Sequence, residues 1–195
     1  FFYMASVVEI CNSSLNILGA NRIVSLTEDS KNARLLNQRY EPVRDAVFRS
    51  HPWNCLLKRV ELAKDSDTPA FEYSYQYTLP SDCLRVIRSQ YSEDSTGEEY
   101  RIEGRKLLSD ESTIKILYVA KITDPNEYDT LLQETIAARL AHELCFAITQ
   151  NNALVRNLYE LYLEKLREAR HADAAENSVN ESNRIQANEF IASRL

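Results

Sequence analysis

The sequence predicts an α+β fold, in which a bundle of about four helices is interrupted by a small antiparallel β-meander and followed by a flexible C-terminal arm. Three observations lead to this prediction. Apolar residues recur at helical spacing towards both ends of the chain, they alternate with polar residues in the middle, and the last residues are rich in Asn and Ser. The predicted parts are residues 1–54 and 123–176 for the bundle, 55–122 for the strands and 177–195 for the arm.

The first helix is predicted over residues 5–18, where apolar residues follow one helical face. Gly19 comes next, at a position where helices often end in the left-handed conformation. A connector leads to Thr27, Asp29 or Ser30, one of which is expected to cap the second helix because a short polar side chain can accept a hydrogen bond from the free amides of the first turn.

The second helix organises the whole prediction and lies in the stretch from Asn32 to Trp53. Its apolar positions recur at steps of three and four, as on one face of a helix. They are Ala33, Leu36, Tyr40, Val43 and Val47. Pro42 interrupts the pattern, and it is expected to kink or split the helix because proline lacks an amide N–H and crowds the preceding turn.

Period-two alternation begins after Trp53. The clearest predicted strand covers residues 71–79, where Phe71, Tyr73, Tyr75 and Tyr77 alternate with polar residues. No basic residue interleaves this aromatic stripe, so packing in a core or a subunit interface is favoured over a stacking platform for nucleic acid. Further strands are predicted over residues 55–63, 84–91, 100–103, 106–108 and 113–119, with an acidic turn over residues 92–99.

Helical spacing returns near Pro125. One helix is predicted to residue 149 and another from Ala153 to about residue 173. The remaining residues form the predicted arm, which should lack stable structure by itself but could order on a partner, because it carries spaced apolar residues. These residues are Ile185, Phe190, Ile191 and Leu195.

Composition argues against several classes of function. The net charge of −6 disfavours a broad DNA-binding face, and three glycines are too few for a Gly-rich phosphate loop. No apolar run approaches the about 20 residues that span a membrane, and the first residues lack the basic region of a secretory signal. The four cysteines are scattered without metal-ligand spacing, so buried free thiols in a reducing compartment are expected.

Catalytic groups are not evident in the sequence. His142-Glu143 begins like a zinc-protease helix, but position 146 is Phe where a second His is needed to reach the metal. No Gly-x-Ser-x-Gly sequence occurs. We therefore expect no enzymatic activity, no metal and no cofactor.

Several local sequences, taken in order, carry a resemblance to a known family. They are Leu15-Asn16-Ile17-Leu18-Gly19, Ile23-Val24-Ser25-Leu26, Tyr40 with Arg44-Asp45, His51-Pro52-Trp53, and Tyr77-Thr78-Leu79-Pro80-Ser81-Asp82-Cys83-Leu84-Arg85. With the order of two helices, a strand-rich insert and two further helices, the chain resembles the head-to-tail adaptor of short-tailed bacteriophages, also called tail tubular protein A or gatekeeper.

The resemblance implies a structural virion protein at the head–tail junction, assembled in the host cytoplasm. Its family forms a ring, usually of twelve subunits, that joins the portal to the tail nozzle. Such a ring retains packaged DNA and lines part of the ejection channel, through which double-stranded DNA passes without sequence-specific binding and without a membrane partner.

The resemblance also implies roles for particular residues. The C-terminal arm, with Ile185, Phe190, Ile191 and Leu195, would dock on the portal. The charged helix faces would contact neighbouring subunits, through Arg34, Arg39, Arg44 and Asp45. Pro52, Trp53 and Pro80 would be structural anchors where the helices meet the strands.

Two other functions remain open from the sequence. One is a cellular helical protein-interaction module with a disordered binding tail. The other is DNA binding through Arg34, Arg39, Arg44 and Arg49, although a spacing of five residues spreads these side chains around the helix instead of along one stripe.

Overall fold

A computed structural model describes residues 6–90 and 100–192, and the side chains of these residues up to residue 176. The predicted α+β class is confirmed: the described residues form four α-helices and two three-stranded antiparallel sheets. The chain divides into a helical unit, Phe1–Val47 with Asp124–Leu195, and a strand unit, Phe48–Thr123. The predicted acidic turn, residues 92–99, lies outside the described residues.

Helix α1, Val7–Ile17, has well-formed hydrogen bonds at both ends. The Ser6 hydroxyl accepts from the Glu9 amide, and the Glu9 carboxylate accepts from the Ser6 amide, which forms a capping box. At the other end Gly19 has φ +64°, and the following amide donates to the Leu15 carbonyl at 2.9 Å. This Schellman arrangement confirms the predicted helix end at Gly19.

Helix α2, Lys31–Arg49, is one continuous helix with Pro42 inside it, so the proline does not split the helix. Ser30 caps it, since the Ala33 amide donates to the Ser30 hydroxyl at 3.2 Å. All five apolar positions of the predicted stripe are buried, with exposures of 3% or less: Ala33, Leu36, Tyr40, Val43 and Val47. The sequence spacing therefore identified the buried face of α2 correctly.

Helices α3, Thr130–Thr149, and α4, Asn152–Ala192, form an antiparallel pair separated by two residues. Asp129 caps α3 by accepting from two backbone amides, and Gln150 ends it with φ 54°. The Asn151 side chain then accepts from two amides at the start of α4. Hydrogen bonds from short polar side chains thus define this helix–turn–helix.

Helix α4 is twice as long as the helix it packs against. Its 41 residues span about 61 Å at 1.5 Å per residue, whereas the 20 residues of α3 span about 30 Å. The sequence reading places an extended arm from residue 177, but the backbone stays helical to Ala192. The segment contains neither Gly nor Pro, the two residues that most disfavour a helix interior, so nothing in it forces the helix to end. The side chains of Ile185, Phe190, Ile191 and Leu195 lie outside the described ones.

The strands are antiparallel, as predicted, but they form two sheets instead of one meander. Sheet A has the order β1-β6-β3 and sheet B the order β2-β5-β4. The strands are β1 Leu57–Leu62, β2 Tyr75–Thr78, β3 Cys83–Ser89, β4 Arg101–Glu103, β5 Lys106–Ser109 and β6 Ile114–Ala120. Only β4 and β5 are neighbours both in sequence and in a sheet, because most strands pair with partners far along the chain.

Strand β2 is shorter than the predicted strand over residues 71–79. Glu72 has φ 68°, and the Tyr73 amide donates to the Phe71 carbonyl at 2.9 Å, so a tight γ-turn replaces the start of the strand. Tyr77 is fully buried, in keeping with the predicted core packing, whereas Phe71 is 75% exposed. Alternation in sequence does not reveal where strand pairing stops.

The three residues predicted as anchors are buried or half-buried in the strand unit. Trp53 is 1% exposed, its ring meets that of His51 at 4.8 Å, and its carbonyl accepts from Leu56. Pro52 is half-buried. The carbonyl of Pro80, which is also half-buried, accepts from the Cys83 amide and from the guanidinium of Arg105.

Candidate functional site

The described residues include no group of three or more His, Cys, Asp or Glu side chains that could hold a metal ion. The four cysteines are free thiols, and burial raises the pKa of Cys11 to about 12, so this thiol is neutral at physiological pH. His142 has Nδ1 3.2 Å from the Val155 carbonyl and its ring against Tyr159.

Surface features are candidate functional sites, beginning with the charged residues predicted for subunit contacts. Arg34 pairs with Asp29, and both side chains are largely exposed. Arg39 and Arg139 both bind the carboxylate of Glu143, which links α2 to α3. The Glu143 side chain is 19% exposed. Burial raises the pKa of Glu143, but the hydrogen bonds from the two arginines outweigh this and hold the pKa below its usual range.

Arg44 was predicted to lie on a face between subunits, and this prediction is wrong. The residue is 2% exposed, and its guanidinium donates two hydrogen bonds to the Asp45 carboxylate, at 2.9 and 2.8 Å. The guanidinium also lies 5.7 Å from the centre of the Tyr40 ring. The ion pair with Asp45 and the contact with the Tyr40 ring allow the charged side chain of Arg44 to be buried within the helical unit. Sequence periodicity reveals neither contact.

An apolar strip on α3 and α4 is the best candidate surface of the helical unit. Phe146 is 54% exposed and lies one helical turn beyond His142. The His142 ring contacts Tyr159, which is 43% exposed, at 5.1 Å between ring centres. Leu163, 37% exposed, follows one turn later on α4. We call these four residues the α3–α4 strip; the sequence reading missed it because each helix is apolar on more than one side.

Sheet A carries the strongest positive charge of the strand unit. Its three strands hold five cationic side chains and one carboxylate, although the whole chain has a net charge of −6. The cations are Lys58, Arg59, Arg85, Arg88 and Lys115, and the carboxylate is Glu61. These residues are too far apart in sequence for their charge to be recognised before the strand pairing is known.

The predicted arm residues lie outside the described side chains, so their contacts stay predictions. No helix of the described part of the chain is long and apolar enough to cross a membrane. No model of a known protein family matches the sequence, and no curated protein is significantly similar to it. The function must therefore be argued from the sequence resemblance and from the geometry.

Proposed function

We propose that the chain is a non-enzymatic adaptor subunit that forms a ring between the portal and the tail nozzle of a short-tailed bacteriophage. In this role it retains packaged DNA and forms part of the channel for its ejection. The observation that carries the proposal is the length of α4. A helix about twice as long as its packing partner presents a segment for docking on another protein.

The composition of that segment supports docking. Residues 177–195 contain four spaced large apolar residues among Asn, Ser and Glu. About 30 Å of α4 exceeds the length of α3, so pairing with α3 cannot cover this part of the helix. An apolar side chain on an otherwise polar helix gains stability when a partner covers it.

A second feature supports assembly into a ring. The α3–α4 strip exposes aromatic and aliphatic side chains on two adjacent helices, and such side chains commonly form the centre of protein interfaces. A ring needs contacts between unlike faces of neighbouring subunits, and this strip supplies one of them. Arg44, which was predicted to make such a contact, cannot do so because it is buried within its own subunit.

Truncation tests the docking role of the arm. Deleting residues 177–195 should abolish binding to a purified portal ring, measured by co-sedimentation, while the melting temperature changes little because α3 and residues 152–176 of α4 remain. A second variant keeps the full length and replaces the apolar residues: Ile185→Asn, Phe190→Asn and Ile191→Asn. It should also lose binding.

The matched control replaces polar residues of the same segment, with Asn180→Gln, Asn183→Gln and Asn188→Gln, and should bind like the unaltered chain. A truncated chain that binds the portal as tightly as the full chain would rule out the docking role. Full-length protein that binds no portal at all would favour a cellular interaction module instead.

A further inference from the structure

A hollow in the helical unit lies between α1, α3 and α4, and we call it the α1–α4 hollow. Its volume is about 350 Å³. Ala137 and Ala138 of α3 line it and are almost fully buried, so they form its floor. Ile17 of α1 and Leu161 of α4 also line it, and both are partly open to solvent. The hollow is therefore a recess with an apolar floor and apolar walls.

The hollow and the α3–α4 strip lie on opposite sides of α4. Leu161 and Lys165 line the hollow, and each follows a residue of the strip, Tyr159 or Leu163, by two positions. Two positions correspond to about 200° around a helix of about 3.6 residues per turn. One copy of the chain thus presents the strip and the hollow in nearly opposite directions.

Exposed apolar side chains of the helical unit concentrate on these two surfaces. Among its described residues, the exposed large apolar side chains are Ile17, Val24, Phe146, Tyr159 and Leu163. Three of them belong to the strip, and Ile17 lies at the hollow. Cavities of about 300 Å³ and more hold small organic molecules, so the hollow is large enough for an aromatic side chain. The projecting rings of the strip therefore suit the recess in size and chemistry.

Positive charge flanks the strip on α4. Arg156 is three residues before Tyr159, and Arg167 is four residues after Leu163, so both are neighbours of the strip on the helix surface. Both arginines are exposed. Glu160, which is also exposed, lies between this pair and the carboxylates on the other side of the helix.

Negative charge predominates around the hollow. Glu164 is three residues after Leu161, and Glu168 is three residues after Lys165, so both are neighbours of the hollow. Lys165 lies 2.7 Å from Glu134 and 3.6 Å from Glu168. Three carboxylates thus face one ammonium group at this rim. The two rims are complementary in charge, as is typical of surfaces that bind each other.

We propose that the α3–α4 strip of one copy inserts into the α1–α4 hollow of a second copy, with the arginines beside the strip facing the carboxylates beside the hollow. Each pair of copies keeps an unused strip at one end and an unused hollow at the other. The contact therefore repeats from copy to copy and does not close as a two-fold dimer. The inference rests on the proposed ring and adds which two surfaces of the subunit form it.

Disulfide cross-linking of the full-length chain tests which surfaces meet. Leu163→Cys places a thiol in the strip, and Ser13→Cys places one at the exposed lining of the hollow. Under mild oxidation an equimolar mixture should give at least about tenfold more covalent dimer than either variant alone, because a disulfide needs Cα atoms within about 7 Å. Ser66→Cys, an exposed serine of the strand unit, replaces Ser13→Cys in the matched control and should give no such increase. The unaltered chain measures the background from Cys55, which is half-buried.

Charge reversal tests the two rims without added thiols. Arg156→Glu/Arg167→Glu reverses the rim of the strip, and Glu164→Arg/Glu168→Arg reverses the rim of the hollow, all at exposed positions. Each variant alone should self-associate at least about tenfold more weakly than the unaltered chain in sedimentation equilibrium, because like charges then face each other. An equimolar mixture of the two variants should recover the association, because opposite charges again meet at every contact.

Four results would overturn the pairing. They are no self-association of the unaltered chain at about 1 mM, where even weak interfaces are populated; equal cross-linking in the Ser66→Cys control; Leu163→Cys dimers that form as well alone as in the mixture; and mixed charge variants that associate no better than each alone. These measurements need no portal. A closed ring on the portal without the strip–hollow cross-link would overturn the pairing and leave the adaptor proposal intact, whereas the cross-link in a chain that binds no portal would support the pairing and contradict the adaptor.

Discussion

Arg39 and Arg44 on α2 and Arg59 on sheet A look alike in sequence but occupy different environments. On α2, Arg39 and Arg44 are held by carboxylates of the same unit, and Arg44 is removed from solvent. On sheet A, Arg59 is exposed with no described partner. A cation can contribute to a binding surface only where its own chain leaves it unpaired, so the intramolecular carboxylates decide which arginines are available. The following predictions test this contrast.

The largest effect is expected from Trp53→Ala, which tests whether sheet A belongs to a firmly packed unit. Trp53 is 1% exposed, so its removal should lower the free energy of unfolding by about 3–5 kcal/mol. Phe71→Ala is the control, since Phe71 is 75% exposed, and it should cost less than about 0.5 kcal/mol. Melting curves measure both; a Trp53→Ala melting temperature within about a degree of the unaltered chain would contradict the role of Trp53 as an anchor.

Arg44→Met should have the next largest effect. The change leaves the Asp45 carboxylate without its principal partner, and the loss should be about 3 kcal/mol, at the low end for a broken buried pair because Asp45 is 24% exposed. Arg34→Met, which breaks an exposed pair, should cost less than about 1 kcal/mol. Urea unfolding compares the two. Equal losses would mean that burial does not distinguish these arginines.

Glu143→Gln should have a smaller, pH-dependent effect. The pKa of Glu143 is lowered in the folded chain, because the hydrogen bonds from Arg39 and Arg139 outweigh its burial. Its contribution to stability is therefore complete above its ordinary pKa of 4.5 and is lost as the pH falls through the lowered value. We expect Glu143→Gln to be about 1 kcal/mol less stable at neutral pH, with the difference shrinking in acid.

Urea unfolding at several pH values measures this difference, and Glu164→Gln on the exposed side of α4 is the control, with an expected change below about 0.5 kcal/mol. A deficit for Glu143→Gln that stays constant from neutral to acid pH would show that the ionised carboxylate does not carry the contribution.

Much of the fold could be predicted from local sequence. The end of α1 at Gly19 depends on neighbouring backbone groups, and the buried stripe of α2 depends on a fixed period, so both could be predicted. The sequence left Thr27, Asp29 and Ser30 open as the cap of α2, and the structure shows that it is Ser30. The two sheets could not be predicted, because their pairings join strands far apart in the chain. Arg44 was misassigned for a related reason: helical position alone does not reveal a buried ion pair.

The candidate surfaces were harder to predict than the fold. The cations of sheet A lie on three strands, and β6 follows β3 by more than 20 residues, so only the register brings Arg59, Arg88 and Lys115 together. The α3–α4 strip requires the packing of two helices. The apolar residues of the arm lie close together in sequence, so the arm could be proposed from the sequence, and its docking role stays a prediction.

Electron microscopy of the purified chain with a portal ring tests the central proposal most directly. The adaptor function predicts a closed ring of copies on one face of the portal, with the C-terminal part of α4 in contact with portal subunits and the α3–α4 strip covered by a neighbouring copy. Single copies bound at scattered sites, or portal particles with no added density at a concentration that saturates binding, would contradict the account.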